Sequence, residues 1–150
     1  MKLIISAGDR QIKGFVHHDV RPLPGIDIVC GLFDLPKHIQ PESCEEIHFT
    51  HALEHFPTKE TNKVLNLVKS FLRPGGKLYL EVPNFAWHAQ LIQDGRDRDA
   101  VYYAFGGQLD EYDFHKTGFT PNILEEELQF AGFKNINIQP GSSITATAYA

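Results

Sequence analysis

Short apolar runs, broken by glycine and proline, alternate with two stretches of helical periodicity along this chain. Residues 2–6, Lys-Leu-Ile-Ile-Ser, are apolar and β-branched and end at Ala7-Gly8-Asp9, which predicts a strand and then a turn. Residues 15–19, 26–30 and 45–50 predict three more strands, with Pro22, Pro24 and Gly25 punctuating the second link. Thr58 has the chemistry of a helix N-cap, and Val64, Leu67, Val68, Phe71 and Leu72 follow at helical spacing. Arg73-Pro74-Gly75-Gly76 should stop that helix, with a glycine available for a left-handed cap. Residues 77–82 alternate, with Leu78, Leu80 and Val82 on one face and Pro83 at the end. Residues 84–119 are rich in aromatics and weakly periodic, and Tyr102, Tyr103 and Phe105 are expected in the core. Thr120-Pro121 supplies an N-cap and a first-turn proline for a second helix, with an apolar stripe of Leu124, Leu128 and Ala131 and a stop at Gly132. Residues 134–138 and 144–149 predict two closing strands around Pro140-Gly141.

Strands that alternate with helices imply an α/β sheet built from crossover units. The first half departs from that rule. Residues 7–14 and 20–25 are shorter than the ~10–12 residues of an ordinary parallel crossover. Either these links carry almost no helix, or one of the strands is not a strand. If the strands form, that end of the sheet is thinly covered, and its apolar face would invite a partner subunit.

The chain has 150 residues and a formal charge of −5, so residues 1–150 read as one domain large enough for a real core. The acidic balance argues against a broad nucleic-acid or anionic-membrane surface. No apolar run approaches the ~20 residues of a membrane span, and the N-terminus lacks a signal-peptide pattern. Cys30 and Cys44 cannot make a disulfide framework and are expected reduced, in a cytoplasmic protein.

Three segments carry a resemblance. They are Glu46-Ile47-His48-Phe49-Thr50-His51-Ala52-Leu53-Glu54-His55-Phe56, then Leu72 through Pro83 with its Pro-Gly-Gly, and Phe105-Gly106-Gly107-Gln108 through Asp113-Phe114-His115-Lys116-Thr117-Gly118-Phe119. Their order resembles class I S-adenosylmethionine-dependent methyltransferases, of the short type found near polysaccharide-biosynthesis genes. The resemblance implies a Rossmann-like methyltransferase fold with a mostly parallel sheet and reduced helices in the N-terminal half. It also implies S-adenosyl-L-methionine as cofactor and a small-molecule or sugar-like (saccharide) acceptor, methylated on oxygen.

Ligands of open α/β sheets bind beyond the carboxyl ends of the strands. On that basis Ser6, Ala7 and Gly8 would cradle the methionine part of the cofactor and Asp19 the ribose. Leu32, Phe33 and Asp34 would hold the adenine, and Thr50 and His51 the cofactor's middle. Residues 85–119 would form the acceptor pocket, with Trp87 and His88 as further candidates to line it. This chain departs from the family at two points: Ser6 replaces the first glycine of the usual Gly-x-Gly loop, and Gly31 stands where an acidic residue usually contacts the adenine. Both departures, with the missing helix after the first loop, also admit a different class of function, a non-catalytic binding or oligomerisation module.

His115, between Asp113 and Lys116, is the best general-base candidate, with a nearby carboxylate to orient it. His55 is a second catalytic candidate. His51-Ala52-Leu53-Glu54-His55 also matches an inverted zinc-protease signature, in which histidines at i and i+4 share a helix face and Glu125 to Glu127 would be sought for a third ligand. The motif follows a strand end and Phe56-Pro57 cuts any helix short, so no metal is expected. His17 and His18, adjacent on a strand, point to opposite faces. The mixed charges of residues 94–99 and the acidic run of residues 125–127 read as solvated surface.

Overall fold

The computed structural model describes all residues, 1–150. Seven strands form one sheet: β1 (Lys2–Ile5), β2 (Val16–Asp19), β3 (Ile28–Val29), β4 (Cys44–Thr50), β5 (Leu72–Pro83), β6 (Lys134–Pro140) and β7 (Ser143–Tyr149). Their order is β3-β2-β1-β4-β5-β7-β6. β1 to β5 are mutually parallel, and β7 inserts antiparallel between β5 and β6. The order reverses at β1, which pairs β2 on one side and β4 on the other. The carboxyl ends of β1, β2 and β4 therefore flank one crevice.

Residues 6–15 and 20–27, which join the first three strands, contain no helix, as their length predicts. Four α-helices follow later: α1 (Thr61–Phe71), α2 (Phe85–Gln93), α3 (Asp97–Phe105) and α4 (Pro121–Phe130). The core joins one face of the sheet to α1 and α4. Leu3, Ile5, Ile47, Phe49, Leu78, Leu80 and Ile144 meet Val64, Val68 and Phe71 of α1 and Leu124 and Leu128 of α4. β5 and β7 alternate buried and part-buried residues, so only one face is fully packed. The opposite face carries Glu46, His48, Tyr79, Glu81, Thr145 and Thr147. On β4, β5 and β7 this second face is thus polar and half-buried, whereas at the β1–β2 end, where an apolar face was expected to receive a partner, Ile4 and His17 are buried.

Several local expectations need correction. The third strand shrinks to two residues because Pro24 and Gly25 keep its first half in a turn. Thr58 caps nothing: it opens a 3₁₀ turn, and its hydroxyl lies 3.0 Å from the Thr117 hydroxyl. Gly75 and Gly76 do not cap α1. Leu72 is already extended and pairs with Cys44, and the ladder then resumes at Glu46 and Lys77, two residues on in β4 but five on in β5. Pro74-Gly75-Gly76 is therefore a bulge inside β5, with Gly75 at φ +73°.

Residues 84–119 hold the two helices that weak periodicity concealed. Asn84 caps α2 by accepting from the Ala86 N–H. The pair buries only His88, Leu91 and Ala100. Tyr102, Tyr103 and Phe105 are exposed, not core. Trp87 and His88 pack on the Tyr103 ring, 5.4 and 5.9 Å between centroids.

Candidate cofactor and acceptor site

A cavity of about 720 Å³ opens beyond the carboxyl ends of β1 to β4. Each wall grows from a strand end. Ser6 follows β1 at φ +56°, a left-handed conformation that favours glycine. Gly8, also left-handed at φ +59°, turns its N–H to Asp19 Oδ2 at 2.8 Å. Asp19 closes β2, 2% exposed. Its Oδ1 accepts from the Arg21 N–H (2.9 Å) and Nε (3.2 Å). Burial pushes the Asp19 carboxyl up, but the Arg21 and Gly8 N–H donors and the Arg21 guanidinium outweigh it and hold it below its ordinary value. Arg21 also reaches Asp110 at 3.8 Å and so ties the end of β2 to the segment after α3.

His18 lies behind this wall. The Ser6 N–H points at its Nδ1 at 3.4 Å, so Nε2 carries the proton and donates to the Cys30 carbonyl at 2.9 Å. Burial holds its pKa down, so the ring stays neutral. His17 takes the other face, with contacts to Asp27 and the Ile12 N–H.

The third wall is the 3₁₀ turn Leu32–Lys37. A Cβ built on Gly31 would lie 3.7 Å from Asp34 Oδ2. The Asp34 carboxylate thus stands beside the place where an acidic side chain at residue 31 would begin. Lys37 bonds it at 2.6 Å and lowers its pKa. Phe33 packs edge-on to Phe56, with Lys63 Nζ 4.2 Å from its ring centre.

His51 follows β4 at φ +50°. Its Nε2 lies 3.2 Å from Glu81 Oε1 and its Nδ1 3.7 Å from Glu54 Oε1. The Glu54 carboxylate, then Glu81, raises its pKa against burial. Ala52 is not helical and Leu53–His55 is a single 3₁₀ turn, so His51 and His55 share no helix face and the zinc-protease geometry is not formed.

Ser6, Asp19, Leu32, Phe33, Asp34, His51, His55 and His115 all line the cavity. Ala7, Gly8 and Thr50 stand behind its wall, and Thr50 is engaged by Arg10 Nη1 at 3.0 Å. Of residues 85–119, only Glu111, Tyr112, Asp113, His115 and Lys116 reach the cavity; Trp87 and His88 do not. His55 and His115, sixty positions apart, meet edge-to-face at 5.1 Å. The carboxylate expected to orient His115 does not do so. Asp113 instead accepts from the Leu109 N–H at 3.2 Å, while His115 Nδ1 donates to the Tyr103 carbonyl at 2.9 Å. Sequence reasoning missed Arg21, and it singled out Glu54 only as part of the inverted zinc-protease signature. Arg21 had a readable signal, lying two residues after a strand-terminal aspartate; the burial of Glu54 had none.

No family profile matches the chain, and no curated protein matches it. Solved structures do. A SAM-dependent methyltransferase from Archaeoglobus fulgidus superposes with TM-score 0.70 at 14% identity, over 99% of this chain and 85% of its own. The CurJ carbon methyltransferase gives TM-score 0.70 at 14% identity, over 99% of this chain but 48% of its own, so the chain spans about half of that protein. The Burkholderia thailandensis 1,6-didemethyltoxoflavin-N1-methyltransferase, solved with 1,6-didemethyltoxoflavin and S-adenosylhomocysteine, gives TM-score 0.65 at 15% identity, over 99% and 69%. The chain has the methyltransferase fold. In this fold the crevice at the switch in strand order is the ligand site, and here it coincides with the cavity.

Proposed function

We propose that this protein transfers a methyl group from S-adenosylmethionine to an oxygen of a small, sugar-like acceptor. One observation carries the reading: a single cavity at the strand-order switch joins Asp19 and Asp34, suited to a nucleoside, with His55 and His115, suited to an acceptor hydroxyl. When bound, the cofactor supplies an activated methyl on a sulfonium. The chain's own task is alignment and exclusion of water.

Asp19 has lone-pair capacity left on Oδ2 for a ribose hydroxyl, because three of roughly four acceptor positions are taken. Asp34 and Phe33 suit an adenine amino group and ring face. Ser6 and His51 border the methionine end. The acceptor hydroxyl would give up its proton to Nε2 of His115 or His55 as its oxygen bonds the methyl carbon, the carbon–sulfur bond breaking with its electron pair left on the now neutral sulfur. The polar lining contributed by Glu60, Glu111, Asp113 and Lys116 supports a hydroxyl-rich acceptor.

The Arg21 cap on Asp19 favours a second reading, a methyltransferase-fold module that does not turn over. Calorimetric titration with S-adenosylmethionine and S-adenosylhomocysteine separates the two. Micromolar binding, weakened at least several-fold by Asp19→Ala, supports the enzyme; no heat at millimolar cofactor sinks it. Transfer of labelled methyl to a panel of saccharides, with linkage analysis, then tests the acceptor and the oxygen.

A cytoplasmic setting agrees with the free thiols of Cys30 and Cys44. A homodimer has its best support on α2 and α3 rather than on the sheet, because Val101, Tyr102 and Phe105 are 56, 57 and 56% exposed.

A further inference from the structure

Two chain segments are bound together at one end of the cavity. The Glu54 carbonyl accepts from the Lys116 N–H (2.7 Å) and the Thr117 N–H (3.2 Å). Thr117 Oγ1 donates to the Phe56 carbonyl at 2.8 Å. These bonds bring Glu54, His55 and His115 together, with ligand atoms all within 4.8 Å of one another.

The chemistry of the three side chains matches metal ligation in three respects. His55 Nδ1 donates to the Phe114 carbonyl at 3.1 Å, and His115 Nδ1 donates to the Tyr103 carbonyl at 2.9 Å. Each ring is thereby fixed with its bare lone pair on Nε2, the arrangement that backbone carbonyls impose on metal-bound histidines. Glu54 is 1% exposed, and neither carboxylate oxygen has a hydrogen-bond partner. Its nearest cationic group, His51 Nδ1, stands at 3.7 Å, beyond hydrogen-bonding range. A carboxylate this buried, with one imidazole at ion-pair distance and no hydrogen-bond donor, keeps both oxygens open to a further cation.

We infer that Glu54, His55 and His115 form a binding site for a divalent transition-metal ion. Two imidazoles and one carboxylate suit zinc better than magnesium or calcium, which prefer all-oxygen sets. Tetrahedral zinc with ~2.1 Å bonds holds its ligand atoms about 3.4 Å apart, so from a spread of up to 4.8 Å the three side chains draw inward to close on the ion. Three protein ligands leave a position open to the cavity for water or an anionic or hydroxyl oxygen. The ion would use the same Nε2 lone pairs that receive a proton in the metal-free protein, and an oxygen bound to it ionises more readily.

The test uses the full chain, stripped with chelator and returned to chelator-free buffer near neutral pH. Zinc is titrated by calorimetry and cobalt by visible absorption, with no S-adenosylmethionine present. The expected result is one equivalent of zinc bound at micromolar or tighter affinity, with cobalt d–d bands. His115→Gln and Glu54→Gln should each weaken zinc ten-fold or more, whereas His38→Gln, an exposed histidine elsewhere, should not. Should Glu54→Gln fail to fold by near-ultraviolet circular dichroism, His55→Gln and His115→Gln carry the test, since both rings are partly exposed. Absence of stoichiometric binding, or an affinity unchanged in His115→Gln, overturns the site. Cofactor titration is read separately, so zinc binding without cofactor binding keeps the metal site and sinks the methyl-transfer reading, and the converse sinks only the metal site.

Discussion

Asp19 shows how one residue stabilises the fold and lines the cavity at once. Its carboxylate accepts two backbone N–H groups and a guanidinium, so Asp19→Asn should cost about 1.5–3 kcal/mol at neutral pH. Its folded pKa lies below the ordinary value. The folded state therefore binds this proton less readily than the unfolded chain does. The stabilisation is complete above about pH 4 and disappears as pH falls through the folded pKa. Urea denaturation of wild type and Asp19→Asn should give a constant stability gap from neutral down to about pH 5 that narrows in stronger acid. A gap that stays level through acid pH would refute the ionic account. Ser6 presents the reverse case. It is held left-handed without glycine's freedom, so Ser6→Gly should stabilise by up to about 1 kcal/mol, the relieved strain exceeding the added chain entropy. Thermal melts will read this as a small rise in Tm. Asp19 was legible because a strand-terminal acid is a recognisable sign; the strain at Ser6 was not, because φ leaves no trace in composition.

At the scale of elements, legibility follows how much of each element's face is buried. β5 beyond its bulge and β7 alternate because one face packs on α1 and α4, and the sequence reports that alternation directly. α2 and α3 escaped notice because they bury a single leucine, one alanine and His88, so no apolar stripe was required. The Pro74-Gly75-Gly76 segment misled for another reason. Glycine after a helical run signals a cap, yet a bulge in a strand uses the same residue. The bulge needs Gly76 itself: an added Cβ would stand 2.9 Å from the Arg73 carbonyl oxygen and 3.0 Å from that of Cys44. Both neighbours are backbone and cannot rotate away. Gly76→Ala should therefore destabilise by about 1–3 kcal/mol, measured by denaturant titration. A helix-cap role would instead put the larger penalty on Gly75, which has open space around it and only its φ to lose.

The whole molecule is a mostly parallel sheet whose core face packs on α1 and α4, with the short links of residues 6–15 and 20–27 adding no helix. A bare parallel sheet exposes costly apolar surface. This one avoids the cost by placing Glu46, His48, Tyr79 and Thr147 on its thin side, with Phe15 and Lys2 against His48 and Glu46. The reduced helices were readable from link lengths, but the polarity of the open face emerges only once pairing sets which residues share it. The unpartnered apolar surface lies on α2 and α3 instead, around Ile92, Val101, Tyr102 and Phe105. A second copy of the chain applied there would bury aromatics that the single chain leaves in water. Sedimentation velocity should then find a dimer at micromolar concentration. Val101→Asp and Tyr102→Asp together should convert it to monomer, because each buries an unpaired charge in the interface. Their cost to the folded chain should be within about 0.5 kcal/mol, since both positions are exposed. A wild-type protein that sediments as a monomer across that range removes the dimer from this surface.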